Sequence, residues 1–243
     1  MNITEDVIAV IYLNFELYDR LRIGSNIVNN NNSSEIIFIQ DTSDPEFITG
    51  FAVKVKNPNE EKRKTGITLG ERTVNYLSAL TGRAVRSKRP KIEKQLGDTT
   101  PLQTTDTPQQ LPNFNLDASK LASLLSSTRT IFNKRIDNYQ SGLVALTDYD
   151  LERAMAQFHQ VIEDSELKQE DDYYMPLRNA CNHHKIDSVP TANAIRNLGI
   201  KCTTGEPVDF TDQDNWQQLY VHTLTIKQIS DGYIRKILTD SNL

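Results

Sequence analysis

The pattern of apolar and polar positions changes its period along the chain, from two near the start to three or four in the second half. From Leu13 to Ile23 most odd positions are apolar and the positions between them are mostly polar. A period of two is that of an extended strand. The pattern predicts one strand, or a hairpin that turns near Tyr18 and Asp19.

Two more strands are predicted at 35–40 and 51–56, where apolar residues alternate with polar or small ones. The segment 24–34 holds four consecutive asparagines, which favour turns, so an exposed loop is expected there. The charged segment 57–64 predicts a turn. Strands joined in this way indicate an antiparallel sheet.

A helix is predicted over 71–81, because Val74 and Leu77 share one helical face, and Gly82 is expected to end it. Strands and helix together predict a small α+β module over residues 1–94. Residues 95–113 carry prolines among repeated Thr and Gln without an apolar period, which is typical of an extended linker.

Beyond the linker, residues 114–243 follow a helical period and predict a bundle of four or five antiparallel helices. Asp117 is expected to cap a first helix whose apolar stripe continues to Ile136, and 147–150 approximates a capping box for the second. Later helices are predicted at about 173–185, 191–198 and 214–238. The predicted fold class is therefore an α+β module followed by an all-α helical bundle.

Composition favours a cytoplasmic protein that is not bound to a membrane. Mean hydropathy is negative, and the longest apolar run, Val7 to Leu13, is far shorter than a membrane span. Only two cysteines occur, Cys181 and Cys202, which fits thiols in a reducing compartment. With a formal net charge of -5, attraction to nucleic acid has to be local.

The segment Arg178 to His183 concentrates polar side chains on a predicted helix. The apolar positions Tyr174 and Leu177 place Arg178, Asn179 and His183 on the opposite, exposed arc. Cys181 and His184 fall on the buried side. If Pro176 is the first helical residue, Arg178 lies in the first turn, near the positive end of the helix dipole, where anions bind favourably.

Arg178 to His183 resembles the Arg-x(4-6)-His signature of the HEPN superfamily, with Asn179 as the polar residue directly after the arginine. The resemblance covers about residues 116–238 and does not extend to the first module. It implies a HEPN-like bundle that forms a homodimer through the helical domain. It also implies a ribonuclease that needs no metal and no cofactor, of the kind found among toxins and defence effectors.

The resemblance assigns a role to each residue of the motif. His183 would assist proton transfer at the ribose 2'-hydroxyl or the leaving oxygen, Arg178 would hold the phosphate, and Asn179 would orient the pair. The positions are five residues apart, about 140° around a straight helix, so a dimer or a kink is needed to aim both at one phosphate.

A non-catalytic alternative stays open. Arg178 and His183 can lie on a solvated helix face with an ion pair to Glu163 or Asp164 in the preceding turn. The protein would then serve dimerisation or the binding of a partner or ligand.

A second concentration of charge follows the predicted helix of the first module. Its basic residues are candidates for contacts with RNA phosphates: Arg83, Arg86, Lys88, Arg89, Lys91 and Lys94. No aromatic residue lies among them, so base stacking is not indicated. The alternative is a solvated tail that leads into the linker.

Other titratable residues predict structural roles. A zinc site from Cys181, His183, His184 and Cys202 has no standard spacing, so no metal is expected. His159 and Glu163 are four residues apart on one helix, which predicts a surface hydrogen bond. His222 is expected at the edge of a packed face.

Overall fold

The computed structural model describes residues 7–15, 20–23, 27–30, 34–91, 113–116, 118–126, 130–183 and 185–239. The chain divides into two compact units, Met1–Thr128 and Arg129–Asn242. The described strands all lie in the first unit, and the second is helical. The expected order of a mixed part followed by a helical part is therefore confirmed.

The first unit is built on a five-stranded antiparallel sheet. The described strands are β1 (Val7–Phe15), β2 (Arg20–Ile23), β3 (Ile27–Asn30), β4 (Ser34–Gln40), β5 (Ile48–Val55), β6 (Val85–Lys91) and β7 (Asn113–Leu116). Five of them lie in the order β3-β4-β5-β1-β6, and β2 pairs with β7 in a separate, parallel ribbon. Strands β4 and β5 confirm the two predicted at 35–40 and 51–56.

Strand β5 is buried on both faces, which suits its place in the middle of the sheet. Phe51, Ala52 and Val53 are each fully buried. Phe51 lies opposite Phe38 of β4, and their rings meet edge to face with centroids 6.1 Å apart. Such cross-strand aromatic pairs stabilise a sheet beyond the area that they bury.

Two expectations about the first strands are wrong. The predicted loop 24–34 contains β3, which forms a hairpin with β4 and sets Asn29 opposite Glu35. Pairing gives the backbones of Asn29 and Asn30 hydrogen bonds that the weak strand propensity of asparagine does not predict. The extended structure predicted from Leu13 to Ile23 is confirmed where the chain is described, in β1 and β2, but the hairpin pairing is wrong, because β2 pairs with β7, some ninety residues later in the chain.

The helix α1 (Glu60–Thr81) is twice as long as predicted. Asn59 caps its start by accepting a hydrogen bond from the Lys62 amide at 2.8 Å. The turn expected over 57–64 is therefore shorter than predicted, because residues 60–64 already belong to the helix. Gly82 ends it in the left-handed region with φ 67°, as predicted. Gly66 lies against Ile8 of β1, which lets the first half of α1 approach the sheet closely.

The next helix, α2 (Ala118–Ser126), belongs to the first unit because it packs against α1 and β3. The sequence instead assigns this stretch to the helical bundle, as one helix that continues to Ile136. The first unit thus extends beyond the predicted linker. Asp117, the predicted cap, and residues 95–112 of the predicted linker lie outside the described residues.

The second unit packs around α4. Its helices are α3 (Thr130–Thr147), α4 (Leu151–Ile162), α5 (Lys168–Asn182), α6 (Val189–Asn197) and α7 (Gln213–Thr239). Helix α4 contacts α3, α5 and α7, and its Met155 and Phe158 are fully buried. None of the described helices is long and apolar enough to cross a membrane.

The predicted capping box before α4 is wrong by three residues. Thr147 is the last residue of α3, and Asp150 is the cap of α4, accepting from the Arg153 amide at 3.2 Å. Tyr149 takes up the reversal between the helices with φ 59°.

Contact between α3 and α4 depends on a glycine. A Cβ atom on Gly142 would lie 2.8 Å from two ring atoms of Phe158. We expect Gly142→Ala to lower the free energy of unfolding by about 1–3 kcal/mol, because the rigid ring has to move. The chain's single tryptophan, Trp216 on α7, reports the unfolding of this unit by fluorescence in urea.

Gly232→Ala is the matched control, since a Cβ there meets nothing within 4 Å. Alanine is the better helix former, so this change should raise stability by up to about 1 kcal/mol. A Gly142→Ala protein as stable as Gly232→Ala would contradict the close contact.

Candidate functional site

Helix α5 begins five residues before its predicted start, so the motif lies closer to the C-terminal end of the helix than predicted. The sequence predicts a start near 173 and allows Pro176 as the first helical residue, whereas α5 begins at Lys168 and encloses the proline. Pro176 leaves the Asp172 carbonyl without its helical hydrogen bond. Arg178 therefore lies in the C-terminal half of α5, and its predicted position in the first turn is wrong. The helix dipole does not attract anions at that position.

Arg178 is bound within its own chain. Its Nη2 donates to the Glu163 Oε1 at 2.6 Å and its Nη1 to the Asn179 Oδ1 at 2.9 Å. The Arg178 and Glu163 side chains are only 21% and 33% exposed. Arg178 thus lies at the edge of the buried face, although the sequence predicts an exposed arc. The ion pair to Glu163 is the one that the non-catalytic alternative named.

Glu163 is itself held at the end of α4. It is the C-cap residue, and its amide donates to the His159 carbonyl at 3.0 Å. Arg135 of α3 donates from Nη2 to the backbone oxygens of Glu163 and Asp164 at 3.3 Å, and from Nη1 to the Tyr233 hydroxyl. A basic side chain on these last carbonyls supplies the hydrogen bonds that a helix end lacks.

His159 is fully buried, so its predicted surface hydrogen bond with Glu163 is wrong. Its Nε2 lies 3.2 Å from the backbone oxygen of Asp171 and 3.0 Å from the Asp171 Oδ1. The hydrogen bond goes to the backbone oxygen, and Oδ1 is buried without a hydrogen-bond donor. Asp171 belongs to the first turn of α5, so this contact joins α5 to α4.

We call His159, Glu163, Asp171 and Arg178 the α4–α5 cluster. Arg178 follows Asp171 by seven residues, nearly two full turns, so both lie on the side of α5 that faces α4. Among the described residues, three buried polar atoms of the cluster find no hydrogen-bond partner: His159 Nδ1, Asp171 Oδ1 and Arg178 Nε.

Burial sets the charge of His159. It lowers the pKa of the imidazole below its ordinary value, and the nearby Arg178 acts in the same direction. Asp171 and Glu163 oppose this shift without cancelling it. His159 is therefore neutral at pH 7, and the cluster holds two carboxylates against one guanidinium.

His183 lies just beyond the helix and, unlike Arg178, is exposed. It is the C-cap residue of α5, with extended backbone at φ -116° and ψ 145°, and its side chain is exposed. Its amide donates to the Asn179 carbonyl at 2.9 Å. Within the described residues, its imidazole makes no hydrogen bond or ion pair. Because α5 ends at Asn182, the helical angle of the prediction does not apply to His183.

The other predicted residues lie elsewhere. Within the first unit, Val85–Lys91 forms β6 beside β1, with Arg86 opposite Asn14 and Lys88 opposite Tyr12, rather than a tail. Arg83 precedes the strand and is exposed; Arg89 and Lys91 lie on it, and Lys94 is outside the described residues.

Both cysteines are free thiols. Burial raises the pKa of the Cys181 thiol, which keeps it protonated. Among the described residues, no group of three or more His, Cys, Asp or Glu side chains is arranged to hold a metal ion. His184 lies outside the described residues. His222 is half-buried and hydrogen-bonded to the Leu198 carbonyl at 2.8 Å, at a packing edge as predicted.

The sequence placed His159 at the surface, whereas it is fully buried, and it gave no role to Asp171. The signal for His159 was present, since it lies four residues after Met155 and next to Phe158, both in the predicted apolar stripe. Asp171 gave no such signal, because it falls in the segment before the predicted start of α5.

The geometry predicts unequal effects for the two residues of the motif. Arg178→Ala removes the partner of a half-buried carboxylate and should lower the free energy of unfolding by about 1–3 kcal/mol. His183→Ala changes an exposed side chain and should stay within about 0.5 kcal/mol of the parent. Urea unfolding followed through Trp216 measures both, and equal effects would contradict the described contacts.

Comparison with known proteins leaves the function to be argued from these contacts. No family model matches the chain, and no curated protein or solved structure matches it.

Proposed function

We propose that the helical unit is a HEPN-like scaffold that pairs with a second copy of the chain and does not cut RNA. The observation that carries this proposal is the 2.6 Å ion pair between Arg178 and Glu163. A catalytic arginine has to offer its charge to a phosphate, whereas this guanidinium already binds a carboxylate of its own chain.

Local charge supports the same conclusion. The turn after α4 and the start of α5 hold six acids, namely Glu163, Asp164, Glu166, Glu170, Asp171 and Asp172. Lys236 pairs with Glu166 at 2.8 Å, and Arg178 with Glu163. With Lys168 and Arg135 included, six acids stand against four basic side chains, so the surplus is still negative. A phosphate that approached Arg178 would be repelled and would have to displace Glu163.

Pairing with a second copy rests on the HEPN resemblance and on the surface of the unit. Several large apolar side chains of the described helical unit are exposed: Tyr149, Tyr173, Met175, Val189, Trp216 and Val221. Trp216 also stacks on Tyr220, with centroids 5.5 Å apart. Exposed aromatic side chains of this kind are enriched at protein interfaces.

A ribonuclease is the second candidate, and the exposed imidazole of His183, which pairs with no described residue, favours it. An exposed imidazole can exchange protons with a substrate. This candidate requires Arg178 to leave Glu163, with the second protomer completing the site. The basic residues of β6 would then be candidates for contacts with RNA phosphates, as the sequence predicts.

One experiment separates the two candidates. The protein, His183→Ala and Glu163→Gln are each incubated with RNA in excess EDTA, and the products are separated by size. We expect intact RNA with all three. Cleavage by the parent that His183→Ala abolishes would overturn the proposal in favour of the ribonuclease. Cleavage by Glu163→Gln alone would overturn it too, since Arg178 would then be a restrained catalytic residue.

The pairing is measured separately by sedimentation. We expect a particle of twice the chain mass of 27.6 kDa at micromolar concentration. A particle of single-chain mass at the same concentration would contradict the homodimer.

A further inference from the structure

We propose that His159 is a pH-responsive latch between α4 and α5: a second proton on its ring finds no acceptor and loosens the start of α5 from α4. This inference is independent of the proposed function. It starts from the position of His159, which is fully buried and joined to Asp171 in the first turn of α5.

The hydrogen bonds fix the tautomer of the ring. Nε2 bonds to the backbone oxygen of Asp171, which only accepts, so Nε2 carries the proton. Nδ1 is then a buried acceptor to which no described residue donates. Protonation would turn Nδ1 into a buried N–H donor that lacks an acceptor, which is far less favourable in a dry interior.

Charged groups lie on α4 itself and on each helix that packs against it. Asp171 on α5 and Glu163 on α4 attract it, while Arg178 on α5 repels it. From α3, Arg135 adds positive charge at the end of α4. Helix α7 presents Lys227 and Asp231, which neutralise each other at 2.7 Å. Burial outweighs the two carboxylates, so the pKa of His159 stays below its ordinary value.

Acid weakens the latch. In the open form the imidazole is solvated and titrates near its ordinary value of about 6.5. The closed form binds this proton only at lower pH, so acid favours the open form. The latch is fully closed above about pH 6.5 and weakens by up to about tenfold per pH unit below it, until the lowered pKa is reached.

Opening would affect a defined part of the fold. The Asp164 amide donates to the Asp171 Oδ2 at 3.4 Å, and this bond is lost when the first turn of α5 leaves α4. Tyr174 follows on the buried side of α5, with its ring 6.0 Å from that of His222. The amides of α5 should therefore report the opening, whereas those of α6 should not.

Hydrogen exchange on the full chain tests the latch. Exchange of α5 and α6 amides is measured from pH 7.5 to 5.5, and each rate is divided by the intrinsic rate at that pH. We expect protection of α5 to fall as pH drops below 6.5, by up to about tenfold at pH 5.5, while α6 stays constant. Constant protection of α5 would overturn the proposal.

Two variants make the test specific. His159→Gln keeps a donor for the Asp171 carbonyl but cannot bind the second proton, so its α5 protection should not change with pH. His222→Gln alters a half-buried histidine outside the cluster and should behave as the parent does. A parent-like pH response in His159→Gln would overturn the proposal. If His159→Gln does not fold, the comparison of α5 with α6 in the parent still decides the question.

Discussion

The contact between the end of α4 and the buried side of α5 is the constraint on which the candidate site depends. Glu163 holds Arg178, and one turn earlier His159 holds Asp171, so two polar contacts set the position of α5 along α4. The apolar side chains of Phe158 and Leu177 are fully buried in the same unit. Hydrophobic burial favours contact between helices, but it specifies register less sharply than paired polar groups do.

Because of this contact, Arg178 of the motif serves to hold α5 against α4. An arginine and a histidine five residues apart invite a catalytic interpretation, yet the two side chains have different environments. Arg178 is neutralised and four-fifths buried, whereas His183 is exposed beyond the helix end. A residue type determines which reactions a side chain can take part in, and its contacts in the structure determine which of these remain possible.

Periodicity predicted the elements whose signals are local. The alternation around Phe51 and Val53 gave β5, Gly82 ended α1, and the long apolar stripe of the last helix gave α7 within one residue at each end. Pairings between distant segments carry no local signal, so the β2–β7 ribbon was not predictable. Helix α5 was misplaced because Leu167 makes no side-chain cap hydrogen bond and Pro176 ordinarily begins a helix. The ion pair of Arg178 could be named as an alternative from the charges in the preceding turn, but not chosen over catalysis.

A double-mutant cycle between Arg178 and Glu163 tests the central claim most directly. Unfolding free energies are measured for the parent, Arg178→Met, Glu163→Gln and the double variant, all followed through Trp216. If the ion pair holds α5 on α4, the two changes together should cost less than the sum of the single changes, with a coupling of about 1–3 kcal/mol. Additive effects within about 0.3 kcal/mol would contradict the account, because Arg178 would then be free of Glu163 in solution.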